Sequence, residues 1–313
     1  MKKEKILKPR YMKILTKQIQ DAVVDMMSKV KRVDKGRSHH YVRVSDEKFL
    51  AGVTEVSSAA GYKEAKVWMP AWGSKSAVAE LGYYDKYEGE THKEELARAE
   101  KILTEVKGMT LEQYLERLQE AKGGFARTSG KAKDIGTAGH EFLETWCKAR
   151  IRKEKEPEIP KFGEYIEKGI KEFIAWADKE VDEFVLAEAR VAMPVTPYEF
   201  AGTLDILAIM RNGKAGVLDF KFADNQSITW PLQLVAYLKT FLPYGIDVSE
   251  RYVLRFPKSE YLKEWDKKSR MYKRIPNKFE VIRYDPKYIN FDFETFMAYR
   301  AADKWVNSNI KNK

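Results

Sequence analysis

Two apolar runs, residues 199–211 and 215–222, flank the tetrapeptide Arg211-Asn212-Gly213-Lys214. An Asn-Gly pair suits the tight turn that joins neighbouring antiparallel strands, so the runs are predicted to form a β-hairpin. Each strand carries an acid among apolar residues: Asp205 in Leu204-Asp205-Ile206-Leu207, and Asp219 in Val217-Leu218-Asp219-Phe220-Lys221. Strand side chains alternate, so Asp219 and Lys221 share one face with Phe220 opposite. Pairing through the turn brings Asp205 within reach of them. The small residues of Ala201-Gly202-Thr203 permit other groups to approach closely. Charged groups in an apolar strand are costly without a partner or a task. Two carboxylates beside a lysine suit a hard cation such as Mg²⁺. The lysine then orients or deprotonates a metal-bound water, or balances phosphate charge. The plainer alternative is a buried Asp–Lys ion pair.

The surrounding pattern predicts an α/β chain, a central mixed sheet flanked by helices, with an N-terminal mainly helical region. Apolar spacing over residues 11–31 predicts a helix, 40–44 a strand, 49–56 a short element, and 63–83 a helix interrupted at Pro70. Residues 88–122 supply further helices, broken by Gly108 and stopped by Gly123-Gly124, with a polar loop to Gly130. Helices are expected at 133–153 and 162–179, strands at 183–193, 251–256 and 279–284, a short helix at 231–241, and a closing helix at 291–307. A division near residue 130 separates an N-terminal region, 1–130, from a core, 131–313. In the helix of 133–153, His140 and Glu144 stand four residues apart on one face, and imidazole can join carboxylates around a divalent ion; Glu141 falls on another side. Gln233 and Tyr237 have the same spacing, so an amide and a phenol share a face. Each of these features, alone, also reads as ordinary surface or core packing.

The net charge is +10, and residues 1–40 hold twelve Lys/Arg against four Asp/Glu. A second basic tract, 258–278, interleaves Lys267, Lys268, Arg270, Lys273 and Arg274 with Tyr261, Trp265 and Tyr272. Cations neutralise phosphates and aromatic faces stack on bases, so a polyanion partner is plausible, although a solvated basic surface has the same composition. The single cysteine, Cys147, excludes an internal disulfide framework and a self-contained iron–sulfur cluster. No apolar run is long enough to span a bilayer and no signal-peptide pattern follows the basic N-terminus, so a reducing, cytoplasmic setting is expected. There is no Walker-type phosphate loop.

Taken in order, Gly136…His140…Glu144, Gly202-Thr203-Leu204-Asp205, Asp219-Phe220-Lys221 and Gln233…Tyr237 resemble the PD-(D/E)XK nuclease superfamily, in its RecB-like exonuclease branch. The resemblance covers roughly residues 131–240. It implies that His140, Asp205, Asp219 and the main-chain carbonyl of Phe220 bind Mg²⁺ or Mn²⁺. It further implies that Lys221 supports the attacking water, while Gln233 and Tyr237 position the DNA strand and the site; Glu144, part of the matched motif, is a further catalytic candidate. The region from Tyr41 to Val56, with Lys66, Trp68 and Trp72 after it, looks like the part of phage and mitochondrial genome maintenance exonucleases that encloses a single strand; core packing of the two tryptophans is the alternative. The implied activity is an exonuclease acting on single-stranded or duplex DNA ends, with a recombination or replication protein as a possible partner and, if phage-encoded, a bacterial host cytoplasm. A structure- or sequence-specific endonuclease and a non-catalytic DNA-binding protein on the same scaffold are the alternatives.

Overall fold

A computed structural model describes residues 2–35, 38–59, 91–193, 199–269 and 271–309. The chain opens with helix α1 (Lys2–Lys29), then strands β1 (Val30–Lys35), β2 (Ser38–Arg43) and β3 (Phe49–Gly52), and a helical segment α2 (53–59). Helices α3 (His92–Lys107), α4 (Leu111–Arg152) and α5 (Glu164–Glu180) lead into β4 (Val181–Met193), β5 (Phe200–Met210) and β6 (Ala215–Phe222). Then come α6 (Thr229–Lys239), β7 (Val248–Phe256), β8 (Tyr261–Asp266), β9 (Met271–Pro276), β10 (Glu280–Arg283) and α7 (Ile289–Asn309). The helix expected at 63–83, with Lys66, Trp68 and Trp72, lies outside the described residues.

The Asn-Gly hairpin forms: β5 and β6 pair antiparallel, and Gly213 takes φ 82, a left-handed value that glycine adopts without a Cβ penalty. These strands lie inside an eight-stranded mixed sheet in the order β1-β2-β3-β5-β6-β7-β10, with β4 paired to β5 off that path. The N-terminal part therefore contributes strands as well as helix. β1 was not anticipated, because its sequence Val-Lys-Arg-Val-Asp-Lys has too few apolar residues to stand out.

Other boundaries differ as well. Gly123-Gly124 do not stop a helix, and the polar loop expected up to Gly130 is helical: α4 runs unbroken from Leu111 to Arg152, across residue 130. Each interior glycine costs about 1 kcal/mol relative to alanine. That cost is spread over a 42-residue helix that starts with a Thr110–Gln113 capping box and contains no proline. In α1 the buried face is Met12, Leu15, Ile19, Ala22, Val23 and Met26, whereas Ile14 and Met27 stay exposed.

Helices cover both faces of the sheet. One core joins α1, α6 and α7 to the sheet through Ile19, Val23, Leu234, Val235 and Phe296. The other joins α4 and α5 through Phe142, Leu143, Trp146, Ile170 and Phe173, which pack on Leu218, Phe220, Phe222 and Phe256. α4 approaches β6 so closely at Gly139 that an added Cβ would lie 2.1 Å from the end of the Phe222 ring. Phe222 in turn stacks on Phe256 at 4.9 Å. Gly139→Ala should destabilise the protein by about 1–3 kcal/mol through overpacking. Adding Phe222→Leu should recover part of that loss in a thermal melt, and no recovery would mean the two do not clash.

The strands do not alternate evenly along their length. Ala187 and Ile206 pack against the α4/α5 core, but Ala189 and Leu204, two residues along each strand, pack into the opposite core. Both strands turn over at the step between these pairs, where the register sets Glu188 against Asp205. Glu188 has φ 51, in the left-handed region that costs a side-chain-bearing residue energy.

Candidate active site

β5 changes neighbours where the strands turn over. One of its edges pairs with β4; the other pairs with β3 at Phe200 and Ala201, and with β6 from Ile206 onward. Among the described residues no strand pairs with 202–205 on that second edge, so β5 and β6 fork apart there while β6 continues beside β7 to Phe222. Gly202 is required at this point, since a Cβ would fall 2.6 Å from the Tyr237 ring and 3.1 Å from Val53. Thr203 is held by a hydrogen bond with the Tyr41 hydroxyl at 2.9 Å.

Asp205 occupies the fork. Its Oδ2 accepts the Phe220 main-chain N–H at 2.8 Å, where a continued ladder would place a β5 carbonyl. The N–H and C=O of one strand residue point to the same side, so the Phe220 carbonyl is turned toward the fork too. Its ring points the other way into the aromatic core, as alternation predicts. Asp219 is 1% exposed. Lys221 Nζ stands 2.7 Å from its Oδ2 as an ion pair, and Asp219 Oδ1 has no hydrogen-bond partner among the described residues. Lys221 also donates to Gln233 Oε1 at 3.1 Å, and Gln233 Nε2 donates to the Tyr237 hydroxyl at 3.1 Å. The i, i+4 pair on α6 thus forms a polar chain that fixes the lysine.

From the other side α4 brings His140, whose Nδ1 is 3.7 Å from Asp205 Oδ2 and whose ring packs edge-on against Phe220. Glu144 shares that helix face but is ion-paired with Lys148. Glu141, expected on another side of the helix, borders the same cleft. That cleft, of about 760 Å³, is bordered by His140, Glu144, Asp205, Lys221, Gln233 and Tyr237, so the structure gathers these sequence-derived candidates around one space. Asp219 does not border it, but is in contact with Lys221, which does.

Three charged residues of the cleft were not singled out: Arg32, Glu188 and Lys258. Glu188 is detectable by the criterion that found Asp205, a lone acid between small apolar residues in Ala187-Glu188-Ala189. Arg32 and Lys258 carry no signal beyond their membership of basic tracts.

Electrostatics follow from burial. Desolvation, then the neighbouring Asp205, push the Asp219 carboxyl up to about 6 against the pull of Lys221. Burial opposes the charge on Lys221, but Asp219 and Asp205 outweigh it and hold the lysine above its ordinary value. Lys221 is therefore an ammonium here, a donor and counter-charge. Burial followed by Asp205 and Glu144 lifts Glu188 to about 7. Burial lowers Lys258.

Among the described residues no three His, Cys, Asp or Glu side chains converge as a ready-made metal cage. A site for Mg²⁺ does not need one: that ion commonly takes one or two carboxylates and keeps several waters. Asp219 with its unpartnered oxygen, Asp205 and the Phe220 carbonyl are the oxygen groups that could hold such an ion, with His140 beside Asp205.

No protein-family model and no curated protein matches the chain. Among solved structures, it is similar to one described as the crystal structure of SSO0001, with 13% identity and a TM-score of 0.23, over 42% of this chain and 55% of that one. It is also similar to LHK-Exo in complex with dAMP, with 11% identity and a TM-score of 0.24, over 55% of this chain and 85% of that one. This chain thus spans little more than half of SSO0001.

Proposed function

We propose that this protein is a metal-dependent deoxyribonuclease that hydrolyses phosphodiester bonds at DNA ends. The observation that carries the reading is Asp219: a fully buried carboxylate with one unpartnered oxygen, ion-paired with Lys221, which borders the cleft together with Asp205. A buried carboxylate left half-paired is costly unless something positive completes it.

Asp205, Asp219 and the Phe220 carbonyl would hold Mg²⁺ or Mn²⁺, with His140 at the edge of the set. The ion would stabilise charge on the scissile phosphate and make water a better nucleophile. Lys221, fixed by Gln233 and Tyr237, orients that water or meets the phosphate with its ammonium. Arg32 and Lys258 on the cleft walls supply further positive charge for the DNA backbone. Glu144, tied to Lys148, shapes the cleft wall beside His140.

The test is digestion of end-labelled linear single- and double-stranded DNA in Mg²⁺, beside a covalently closed circle. Loss of label from linear DNA with an intact circle is the expected outcome. A nicked circle would assign an endonuclease instead, and three untouched substrates would remove the nuclease reading.

A further inference from the structure

The parallel strands β6 and β7 stay paired to Phe222 and Phe256, where both chains leave the sheet. One further main-chain bond, from the Ala223 N–H to the Phe256 carbonyl at 3.1 Å, follows the ladder. Asp224 then takes over as acceptor. Its Oδ1 accepts the main-chain N–H groups of Lys258 at 3.0 Å and Ser259 at 3.2 Å, and the Asn277 side-chain amide at 2.8 Å. Asn277 is held in turn by the buried Arg255 guanidinium, which donates to its Oδ1 at 2.9 Å and to the Ala223 carbonyl at 3.0 Å. The Lys258 carbonyl accepts the Tyr165 hydroxyl at 3.1 Å. The main chain of Lys258 is therefore tied at both its N–H and its C=O, while its side chain borders the cleft.

That side chain differs from the other two Lys/Arg side chains bordering the cleft. Lys221 is paired with Asp219 at 2.7 Å and Arg32 with Asp34 at 2.8 Å. The Lys258 amine, only partly exposed, has neither a hydrogen bond nor an ion pair among the described residues. We infer that Lys258 is the residue that grips a DNA phosphate in the cleft, and that Asp224, which does not border the cleft, positions it. The inference rests on the nuclease reading and adds to it a residue that acts only through another. A partly desolvated ammonium gains more from an anion than one in open water, and a phosphate oxygen supplies the partner that is lacking. Burial lowers the Lys258 pKa and the Asp224 charge raises it, so the acid also favours the charged lysine. Lysine carries its charge on a long flexible stem, and fixing the main chain beneath it leaves less freedom to lose on binding.

Fluorescence anisotropy of a labelled duplex with a single-stranded overhang, in EDTA to prevent cleavage, tests the pair. Lys258→Ala should weaken binding about tenfold and lower the slope of log Kd against log salt by about 0.7–0.9, the share of one phosphate. Asp224→Ala should lose nearly as much affinity and the same slope. Adding it to Lys258→Ala should cost less than about twofold more, because it acts through that lysine. Asp224→Asn keeps an acceptor oxygen and should bind within about twofold of wild type. Tyr165→Phe, which releases the other tie, should weaken binding about threefold, and by nothing further once Lys258 is alanine. In Mg²⁺ the losses should fall on KM, with kcat held within about twofold.

An acid that only caps a turn would change the melting temperature and leave the salt slope alone. Asp224→Ser, with a shorter and weaker acceptor, takes the place of Asp224→Ala if the latter does not melt cooperatively. An unchanged slope in Lys258→Ala, or losses that multiply in the double variant, would overturn the inference. If the wild-type protein cleaves the DNA in Mg²⁺ while these variants bind like it, the inference falls and the nuclease reading stands. Coupled losses of binding in a protein that cleaves nothing would instead overturn the nuclease reading and leave Lys258 as a phosphate grip. A wild-type protein that neither binds nor cleaves the DNA would overturn both.

Discussion

Asp219→Ala and Lys221→Ala should each lower phosphodiester cleavage by about a thousandfold or more while DNA binding stays measurable. The two side chains meet at 2.7 Å, and Asp219 is a buried acid whose Oδ1 has no hydrogen-bond partner among the described residues. Removing the carboxylate deletes a proposed ion ligand and takes from Lys221 its ion-pair partner, leaving it the Gln233 hydrogen bond and the charge of Asp205. Removing the lysine leaves Asp219 buried without its counter-ion. Asp219→Asn keeps the shape and separates loss of charge from loss of packing; its thermal melt should stay close to wild type while its activity falls as far as that of Asp219→Ala. The proposed phosphate contacts come from residues elsewhere, Arg32 and Lys258 in the cleft among them, so an electrophoretic shift of DNA should persist in all three variants. Full activity in either alanine variant would dismiss the site.

The second large effect is control by metal and pH. EDTA should abolish cleavage, and Mg²⁺ or Mn²⁺ should restore it. The pH dependence follows from Asp219, whose carboxyl rises from 3.8 to about 6 mainly through burial. A carboxyl with a raised folded pKa binds its proton more tightly in the folded protein. Its contribution to stability is therefore complete below the unfolded value of 3.8 and is lost as pH rises through about 6. A divalent cation held by Asp219 would displace that proton, so its affinity should fall as the pH drops through that range. Mg²⁺ should then raise the melting temperature at about pH 7.5 and have little effect at about pH 5. Equal shifts at both pH values would contradict a proton-competitive site.

Most of the fold was legible where local chemistry decides it. Asn212-Gly213 set the hairpin, and Asp219 and Lys221 share a face because β6 alternates without interruption. Gln233 and Tyr237 share one face of α6 as helical spacing suggested, and Gln233 bonds both the tyrosine and Lys221. What stayed hidden depends on partners distant in sequence. Nothing near Gly123-Gly124 tells that α4 continues through them. No periodicity shows that β4 and β5 turn over together, because the change rests on the left-handed backbone of Glu188 and on β3 replacing β6 along one edge of β5. That change places Glu188 opposite Asp205, which is why a cleft acid was overlooked although its sequence context matches that of Asp205. The basic tract was visible as composition; its pairing as the β8–β9 hairpin was not.

The central claim is that Asp205 and Asp219, far apart in sequence, share one divalent ion across the fork. Titration of the protein with Mn²⁺, followed by electron paramagnetic resonance of the free ion, measures this without DNA or turnover. The account predicts saturable binding near neutral pH that weakens at least about tenfold in both Asp205→Asn and Asp219→Asn. Undiminished Mn²⁺ binding in both folded variants would contradict it.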